Sequence, residues 1–222
     1  MNIFNPYSSR YFAEQLTLKR PSNSISSLAP ALAGAKVDLN PHQVDAALFA
    51  FNSPLSNGVL LADEVGLGKT IEAGIALAQY WAERKRKILL IVPASLRSQW
   101  LLELDEKFYI KSMILESKNF DQMKKHGMRN PFEQKDLVII CSYNFVAQKQ
   151  LEVSRVEWDL VVMDEAHRLR NIYKASNVIG KKLKTALEGR HKLLLTATPL
   201  QNNLMELYGL VSIIVMIVFL VT

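Results

Sequence analysis

The segment Asp63–Thr70 reads DEVGLGKT, and its residue types are those that bind phosphate groups. It follows the apolar run Val59–Leu61 and precedes a helical pattern, which is the setting that a phosphate-binding loop requires. Its two glycines allow the backbone to curl so that successive N–H groups point at phosphate oxygens, helped by the positive end of the helix. We predict that Lys69 lies near the β- and γ-phosphates of a nucleotide and that Thr70 offers its hydroxyl to Mg²⁺. The full pattern GxxxxGK(S/T) is not met, because Asp63 occupies the first glycine position.

A second group of candidate residues, Asp164 and Glu165, stands directly after the apolar run Leu160–Met163. A nucleoside triphosphatase needs one carboxylate at a strand end to hold Mg²⁺ and a second to orient or deprotonate the attacking water. Asp164 fits the first role and Glu165 fits the second. Such a pair taken alone is typical of an exposed loop, and it is the phosphate loop upstream that favours the catalytic interpretation. The nearby His167 has no second His or Cys at ligand spacing, so a structural zinc site is not predicted.

Two hydroxyl residues, Thr196 and Thr198, follow the apolar run Leu193–Leu195. Hydroxyl groups at the tip of a strand can sense the state of a bound nucleotide and pass it to a neighbouring domain. A threonine-rich strand end is common, so this third signal is weak by itself.

The elements that position these residues are predicted by short apolar runs that alternate with helical patterns. The runs are Val59–Leu61, Ile88–Val92, Ser112–Leu115, Leu137–Cys141, Leu160–Met163 and Leu193–Leu195. Most are apolar throughout, as in strands that are covered on both faces of a parallel sheet. Helices are predicted over 40–51, over 69–84 and from 95 onward, with apolar residues at helical spacing. This order indicates a three-layer α/β domain with right-handed crossovers. The polar stretch 116–135 is expected to be a surface excursion, and the basic run 84–87 a solvated turn.

The composition agrees with a folded domain. The chain has 222 residues, with 27 Lys+Arg and 21 Asp+Glu, hence a formal net charge of +6. Hydrophobic residues make up 49% and charged residues 22%, which excludes a disordered protein. The modest basic excess permits nucleic-acid binding without requiring it. The one cysteine, Cys141, excludes a disulfide framework and fits a reducing compartment, so we expect a cytoplasmic protein with Cys141 buried as a small apolar residue.

The two ends of the chain differ from the middle. Residues 1–35 are predicted to be a lead-in or linker, because a Ser- and Pro-rich stretch runs from residue 20 to residue 38. The 16 residues after Glu206 carry no charge. As a helix they would span about 24 Å, short of a hydrocarbon core of roughly 30 Å. A membrane anchor is therefore the less favoured hypothesis. The favoured one is an apolar end, 213–222, that results from truncation or a frameshift or that packs on something the chain lacks.

These segments, taken together, resemble the motifs of superfamily 2 helicase-like ATPases, and specifically of the Swi/Snf-type branch of DNA translocases. The resemblance rests on LNPHQVDA at 39–46, LADEVGLGKTIEAG at 61–74, ILLIVPASLRSQWLLEL at 88–104, VIICSYNF at 138–145, WDLVVMDEAHRLRN at 158–171 and LLLTATPLQNNLMELYGLV at 193–211. It covers about residues 36–212. Many eukaryotic members carry Met at the position of Val65, so this residue favours a resemblance to the bacterial members.

The resemblance implies a RecA-like lobe that binds ATP and Mg²⁺ in a cleft facing a second such lobe, and that tracks along double-stranded DNA without sequence preference. It implies the following nucleotide-binding residues: Gln43, Asp63, Glu64, Val65, Gly66, Leu67, Gly68, Lys69 and Thr70. Lys69, Asp164 and Glu165 would be catalytic, with Thr70 and Asp164 on Mg²⁺, and Gln43 would contact the base. His167, Thr196 and Thr198 would couple the ATP state to the DNA site. Contacts to the DNA backbone would come from Ser95, Arg97, Ser142 and Tyr143.

The main departure from the family is that no counterpart of the second lobe, with its arginines, is present in the sequence. Arginine fingers are worth about 10³–10⁵ in rate in phosphoryl transfer. The isolated chain is therefore expected to bind nucleotide weakly and to hydrolyse it slowly or not at all. Its expected partners are double-stranded DNA, the missing lobe and a protein bound on DNA, with no membrane.

Two other hypotheses stay open: a non-catalytic truncated remnant, and the motor fragment of a DEAH-type restriction or defence helicase. The strings LADEVGLGKTIEAG and TATPLQNN favour the Swi/Snf-type interpretation over the second of these. A small-molecule kinase is disfavoured, because such an enzyme would not explain the sequences DEAH at 164–167 and TATP at 196–199.

Overall fold

The computed structural model describes residues 35–37, 40–52, 57–62, 68–201 and 203–214 of the chain. Within them, one parallel sheet forms the centre of the fold. Its strands are β1 (Gly58–Leu61), β2 (Ile88–Val92), β3 (Ser112–Ile114), β4 (Val138–Ser142), β5 (Leu160–Met163) and β6 (Lys192–Leu195). Each coincides within one residue with a predicted apolar run, and the order across the sheet is β1-β6-β5-β2-β4-β3. All pairings are parallel, so the predicted α/β class is confirmed.

Helices connect the strands and cover the sheet. They are α1 (Pro41–Asn52), α2 (Lys69–Ala82), α3 (Arg97–Phe108), α4 (Ser117–Lys125), α5 (Tyr143–Gln148), α6 (Gln150–Ser154), α7 (Val178–Ala186) and α8 (Leu204–Ile214). Short 3₁₀ turns lie at Ala94–Leu96 and Ala166–Leu169. The three helices expected from the sequence are α1, α2 and α3, and each begins within two residues of its predicted start.

The core is divided by the sheet into two hydrophobic clusters. Alternate residues of β2 belong to different clusters: Leu89 and Ile91 to one, and Ile88, Leu90 and Val92 to the other. The first cluster packs against α5–α8, and the second against α1–α3. Because successive side chains of a strand point to opposite faces, this division gives the three layers that the unalternating runs predicted.

The expectation of a surface excursion over 116–135 is wrong in one respect. The stretch contains α4, and both Phe120 and Phe132 are buried in the core. Their ring centroids lie 5.8 Å apart, and Phe145 lies 5.8 Å from Phe120 and 6.0 Å from Phe132. The polar residues of the stretch obscured two phenylalanines that attach it to the domain. Large aromatic side chains can dominate core packing even when few in number.

The basic run 84–87 connects α2 to the amino end of β2 and makes several contacts there. The backbone amides of Arg86 and Lys87 both donate to Oδ2 of Asp159, at 3.0 and 2.9 Å. The guanidinium of Arg86 stacks 4.2 Å from the ring centroid of Trp81 and pairs with Asp136 at 3.4 Å. These contacts hold the turn between α2 and the sheet in place. Cys141 is fully buried, as predicted.

Of the hypotheses about the ends, most of 1–35 and of 213–222 lies outside the described residues, so both boundaries stay predictions. None of the described helices is long and apolar enough to cross a membrane.

Candidate functional site

Four segments that are separated in sequence meet at the carboxyl edge of the sheet, around a cavity of about 290 Å³. They follow β1, β6, β5 and β2, which are consecutive in the strand order. The cavity is lined by Gly68, Lys69, Thr70, Leu96, Gln99, Trp100, Asp164, Glu165 and Ala197. The carboxyl edge of a parallel α/β sheet is where such folds bind ligands. The structure therefore brings together the C-terminal end of the predicted phosphate loop and the carboxylate pair that the sequence singled out.

Gly68 begins helix α2 in a conformation that favours glycine. Its φ is +89°, in the left-handed region, and it occupies the N-cap position of α2. A Cβ atom at Gly68 would clash with Nε2 of Gln43. The Gln43 side chain is buried, and its Oε1 accepts a hydrogen bond from the amide of Asn40 at 3.2 Å. Gln43 therefore lies directly against the end of the loop, at the start of α2.

Five of the predicted nucleotide-binding residues lie outside the described residues. They are Asp63, Glu64, Val65, Gly66 and Leu67. Their expected contacts with phosphate stay predictions, whereas Gly68, Lys69 and Thr70 are placed on the cavity.

Asp164 is held by hydrogen bonds at each of its polar atoms. Its amide donates to Ile91 O at 2.9 Å, which extends the pairing of β5 with β2, and its carbonyl accepts from the hydroxyl of Tyr143 at 2.7 Å. In the side chain, Oδ2 accepts from the indole N–H of Trp100 at 2.9 Å, and Oδ1 accepts from the amide of Glu165 at 2.8 Å. Each carboxylate oxygen thus has one donor and retains the capacity to accept a further bond.

The electrostatics of Asp164 follow from this environment. Burial raises the pKa of its carboxyl group above the ordinary value. The hydrogen bonds from Trp100 and from the Glu165 amide, and the charge of Lys69, act in the opposite direction on that pKa. An oxygen ligand of this kind, in a cavity that Thr70 also lines, fits the preference of Mg²⁺ for oxygen ligands.

Glu165 has an unusual backbone conformation, with φ +54° in the left-handed region. Residues other than glycine seldom adopt it, and such strained positions cluster at functional sites. Its side chain is 38% exposed, and Oε2 lies 2.9 Å from Nδ1 of His167, although this approach lacks hydrogen-bond geometry. The more exposed second carboxylate therefore differs from Asp164, which is fixed on both oxygens.

The two strand-tip threonines lie beyond β6 and do not both face outward. Thr196 is fully buried, and its Oγ1 accepts from the amide of Thr198 at 3.2 Å. Oγ1 of Thr198 accepts from Nη2 of Arg170 at 3.3 Å. The tip of β6 is thereby connected to the segment that carries Asp164, Glu165 and His167.

Arg170, a residue that the sequence reasoning did not select, makes this connection. Its guanidinium also donates to His167 O at 2.9 Å, to Oε1 of Gln201 at 2.7 Å and to Oε2 of Glu206 at 3.5 Å. Arg170 and Glu206 are both buried. In addition, a Cβ on Gly209 would clash with the carbonyl oxygen of Arg170, so α8 approaches this residue closely. In the sequence, the feature that could have indicated this contact is Glu206, the single charged residue in the apolar helix LMELYGLVSII.

The residues expected to contact DNA lie at the same edge, after β2 and β4. Ser95 is exposed. Arg97 is half-buried and forms an ion pair with Glu116 at 3.0 Å. Ser142 caps α5, where its hydroxyl accepts from the amide of Phe145 at 3.3 Å. A groove of about 350 Å³ runs between these segments and is lined by Arg97, Glu116, Ser117, Lys118, Ser142, Asn144, Phe145 and Gln148.

Tyr143 differs from the other three residues, because its side chain is buried rather than exposed on this groove. Helix α5 begins at Tyr143, and the hydroxyl of its side chain donates to Asp164 O at 2.7 Å. Burial raises the pKa of Tyr143 well above its ordinary value. The side chain of Tyr143 therefore supports the carboxylate segment, and the expected contact of the turn at Ser142 and Tyr143 with the DNA backbone stays a prediction.

The fold and the residues at its carboxyl edge define a three-layer parallel α/β domain of the helicase-like ATPase type. A family model described as "SNF2-related domain" matches residues 20–221, and the chain belongs to this family. This agrees with the resemblance of its motifs to Swi/Snf-type proteins.

Relatives in bacteria share this part of their sequences with the chain. It is 38% identical over 177 residues to the "Uncharacterized ATP-dependent helicase YqhH" of Bacillus subtilis (strain 168), covering 78% of this chain and 29% of the relative. It is 39% identical over 177 residues to the "RNA polymerase-associated protein RapA" of Serratia proteamaculans (strain 568), covering 77% of this chain and 18% of the relative. The chain therefore spans less than a third of the length of these two relatives.

A solved structure has a similar fold. The Sulfolobus solfataricus SWI2/SNF2 ATPase core in complex with dsDNA superposes with a TM-score of 0.65 at 24% sequence identity. The match covers 81% of this chain and 36% of that chain. At this level of identity the similarity establishes the fold alone.

Proposed function

We propose that the chain is the ATP-binding lobe of a Swi/Snf-type DNA-dependent ATPase, which couples ATP hydrolysis to movement on double-stranded DNA. The observation that carries the proposal is the cavity at the carboxyl edge of the sheet. Lys69 and Thr70 from the end of the phosphate loop line this cavity together with Asp164 and Glu165. Cation, hydroxyl and two carboxylates are the groups that nucleoside triphosphate hydrolysis needs in one place.

On the nucleotide side, each residue has a separate task. The N-terminus of α2 and Lys69 bind the phosphates, and Gln43, buried against Gly68, is the proposed contact to the base. Mg²⁺, when bound, neutralises charge on the phosphate oxygens and orients them. Thr70 and Asp164 are the residues that would hold it. Glu165, whose side chain is partly exposed, orients or deprotonates the attacking water.

On the DNA side, we propose that the groove between β2 and β4 contacts the phosphate backbone through Ser95, Arg97 and Ser142. Such contacts carry no base information and weaken as salt concentration rises. Support comes from the similar Sulfolobus solfataricus core, which was solved with dsDNA. Arg97 already forms an ion pair with Glu116, so a contact with DNA would require its guanidinium to interact with both Glu116 and a phosphate.

The link between the two sides is proposed to run through His167, Thr196 and Thr198. Thr198 is hydrogen-bonded to Arg170, which also bonds the carbonyl of His167, so a shift of the carboxylate segment reaches the tip of β6. A second RecA-like lobe is proposed to complete the ATP site, and a protein bound on DNA is a proposed further partner. One relative is named for its association with RNA polymerase.

Nucleotide binding by the purified chain tests the proposal. A fluorescent ATP analogue is titrated with Mg²⁺ into the wild type, Lys69→Ala and a control, Lys181→Ala, which removes an exposed lysine on α7. The expected result is saturable binding by the wild type and the control, and loss of binding in Lys69→Ala. Equal binding by all three proteins would contradict the assignment of the site.

Steady-state ATPase measurements with double-stranded DNA test the need for a second lobe. We expect little turnover by the chain alone and stimulation when a second-lobe polypeptide is added in trans. Robust DNA-stimulated turnover by the chain alone, abolished by Lys69→Ala, would contradict the prediction of weak activity. Nucleotide binding without turnover in either condition would favour the non-catalytic alternative.

A further inference from the structure

Trp100 lies at the meeting point of helix α3 and the nucleotide cavity. It is 2% exposed, yet it belongs to the lining of the cavity together with Lys69, Thr70 and Asp164. The apolar spacing of α3 explains its burial, because Trp100, Leu104 and Phe108 share the helix face that packs on the domain. The same spacing does not explain why an indole, with its N–H group, occupies the position beside the cavity.

The indole N–H has a specific acceptor. It donates to Oδ2 of Asp164 at 2.9 Å, across 64 residues of sequence. The other carboxylate oxygen, Oδ1, accepts from the amide of Glu165 at 2.8 Å. One donor on each oxygen fixes the rotation of the carboxylate about its terminal torsion, which is otherwise broad. Because the indole nitrogen can only donate, this bond cannot be reversed by a change of rotamer or tautomer.

The helix that carries Trp100 is itself firmly held. Phe108 packs against Gly74 of α2 so closely that a Cβ on Gly74 would clash with the Phe108 ring. Leu104, on the same buried face of the helix, is completely buried. A hydrogen-bond donor on such an element can hold its acceptor within narrow limits, as functional sites require.

We propose that Trp100 is the positioning residue of the site, and that its indole N–H holds the Asp164 carboxylate in the orientation that receives Mg²⁺–nucleotide. This inference rests on the proposed function, in which Asp164 holds Mg²⁺. Outer partners of metal-binding side chains typically change metal affinity by about 10–100-fold when removed. The role is one of orientation, since Trp100 acts through Asp164.

The test removes the N–H while keeping an aromatic side chain at the position. Trp100→Phe is compared with Trp158→Phe, which removes another buried indole N–H, bonded to Val153 O at 3.0 Å within the hydrophobic core. A fluorescent ATP analogue is titrated into each protein with Mg²⁺ and with EDTA. Mn²⁺ binding is measured separately by electron paramagnetic resonance. Circular dichroism and thermal melting establish that each variant is folded.

The expected result is selective. Trp100→Phe should weaken Mn²⁺ binding and Mg²⁺-dependent nucleotide binding by about 10–100-fold, with little change in EDTA. Trp158→Phe should leave both affinities near those of the wild type. If Trp100→Phe does not fold, replacement of Trp100 by benzothienylalanine, which has sulfur in place of N–H, provides the same comparison at constant shape.

Two results would overturn the inference. A folded Trp100 variant with wild-type Mn²⁺ and Mg²⁺–nucleotide affinity would show that the N–H does not position Asp164, while the proposed function would stand. An equal loss of nucleotide affinity with Mg²⁺ and with EDTA would indicate a general packing role. A wild-type chain that bound no nucleotide in either condition would instead remove the proposed function, and the inference with it.

Discussion

The buried ion pair of Arg170 and Glu206 is the contact whose removal should destabilise the fold most clearly. The pair joins the segment that follows β5 to helix α8, with side chains 10% and 4% exposed and an N–O distance of 3.5 Å. The perturbation is Arg170→Met, which keeps an unbranched side chain and removes the guanidinium. Four hydrogen bonds are lost with it, to the carbonyl of His167 and to the side chains of Thr198, Gln201 and Glu206.

The magnitude follows from what remains after the substitution. Glu206 stays buried without the opposite charge of Arg170, and breaking a buried pair typically costs about 3–5 kcal/mol. The Glu206 carboxylate still accepts from the amide of Gln201 at 3.1 Å, so the lower end of the range applies. We expect Arg170→Met to lower the free energy of unfolding by about 3 kcal/mol. The double variant Arg170→Met/Glu206→Met should cost less than the two single variants together, by about 1–3 kcal/mol of coupling.

Urea unfolding followed by circular dichroism measures these differences, with the slope of the transition compared among variants. The matched control is Glu157→Gln, which breaks the surface ion pair of Glu157 with Arg190 and should have a much smaller effect. The reasoning is refuted if Arg170→Met costs less than about 1 kcal/mol, the net worth of one ordinary hydrogen bond. Strict additivity of the two single variants would likewise show that the side chains do not act as a pair.

Other predictions concern single positions. Gly68→Ala should weaken binding of the nucleotide analogue about tenfold or more, because a φ of +89° costs about 1–2 kcal/mol for a side chain and the new Cβ has no room. Gly189→Ala, with φ +71° but open space around it, should cost stability without changing nucleotide affinity. Tyr143→Phe should lower the free energy of unfolding by about 1 kcal/mol in urea titrations, since the carbonyl of Asp164 loses its donor, and no loss would contradict the assigned contact. Burial lowers the pKa of Lys192 from 10.5 to about 8 in the folded protein. Between about pH 8 and pH 10.5 the unfolded chain therefore binds more protons than the folded protein, so the free energy of unfolding rises with pH. The destabilising effect of Lys192 is largest below about pH 8. Lys192→Met should therefore raise the free energy of unfolding by about 1–2 kcal/mol at pH 7. Urea unfolding at pH 7 and at pH 10 should show a smaller gain at the higher pH. The same gain at both pH values would contradict the prediction.

The site was predictable from the sequence as far as local patterns reach. Asp164 and Glu165 stand at the end of an apolar run, and Lys69 and Thr70 open a helix after another. A parallel sheet brings such strand ends to one edge. Once the runs are identified as strands, the approximate meeting of these residues follows.

The sequence did not predict the contacts that hold the site together. The donor to Asp164 is Trp100, 64 residues away, and its helical spacing identifies it only as a core residue. Arg170 bonds Glu206 across 36 residues, and Tyr143 bonds the carbonyl of Asp164 across 21. Such pairings depend on the order of strands and the packing of helices, on which local periodicity carries no information.

By itself, then, the sequence determined the strands of the described sheet, the α/β class and the chemical groups of the candidate site, because each depends on residues adjacent along the chain. Tertiary structure alone decided that the side chain of Tyr143 is buried and bonds the carbonyl of Asp164, and that Phe120 and Phe132 attach a polar stretch to the core. It also decided which donors fix Asp164. The physical reason is that burial and hydrogen bonding are settled by neighbours in space, and here those neighbours come from distant parts of the chain.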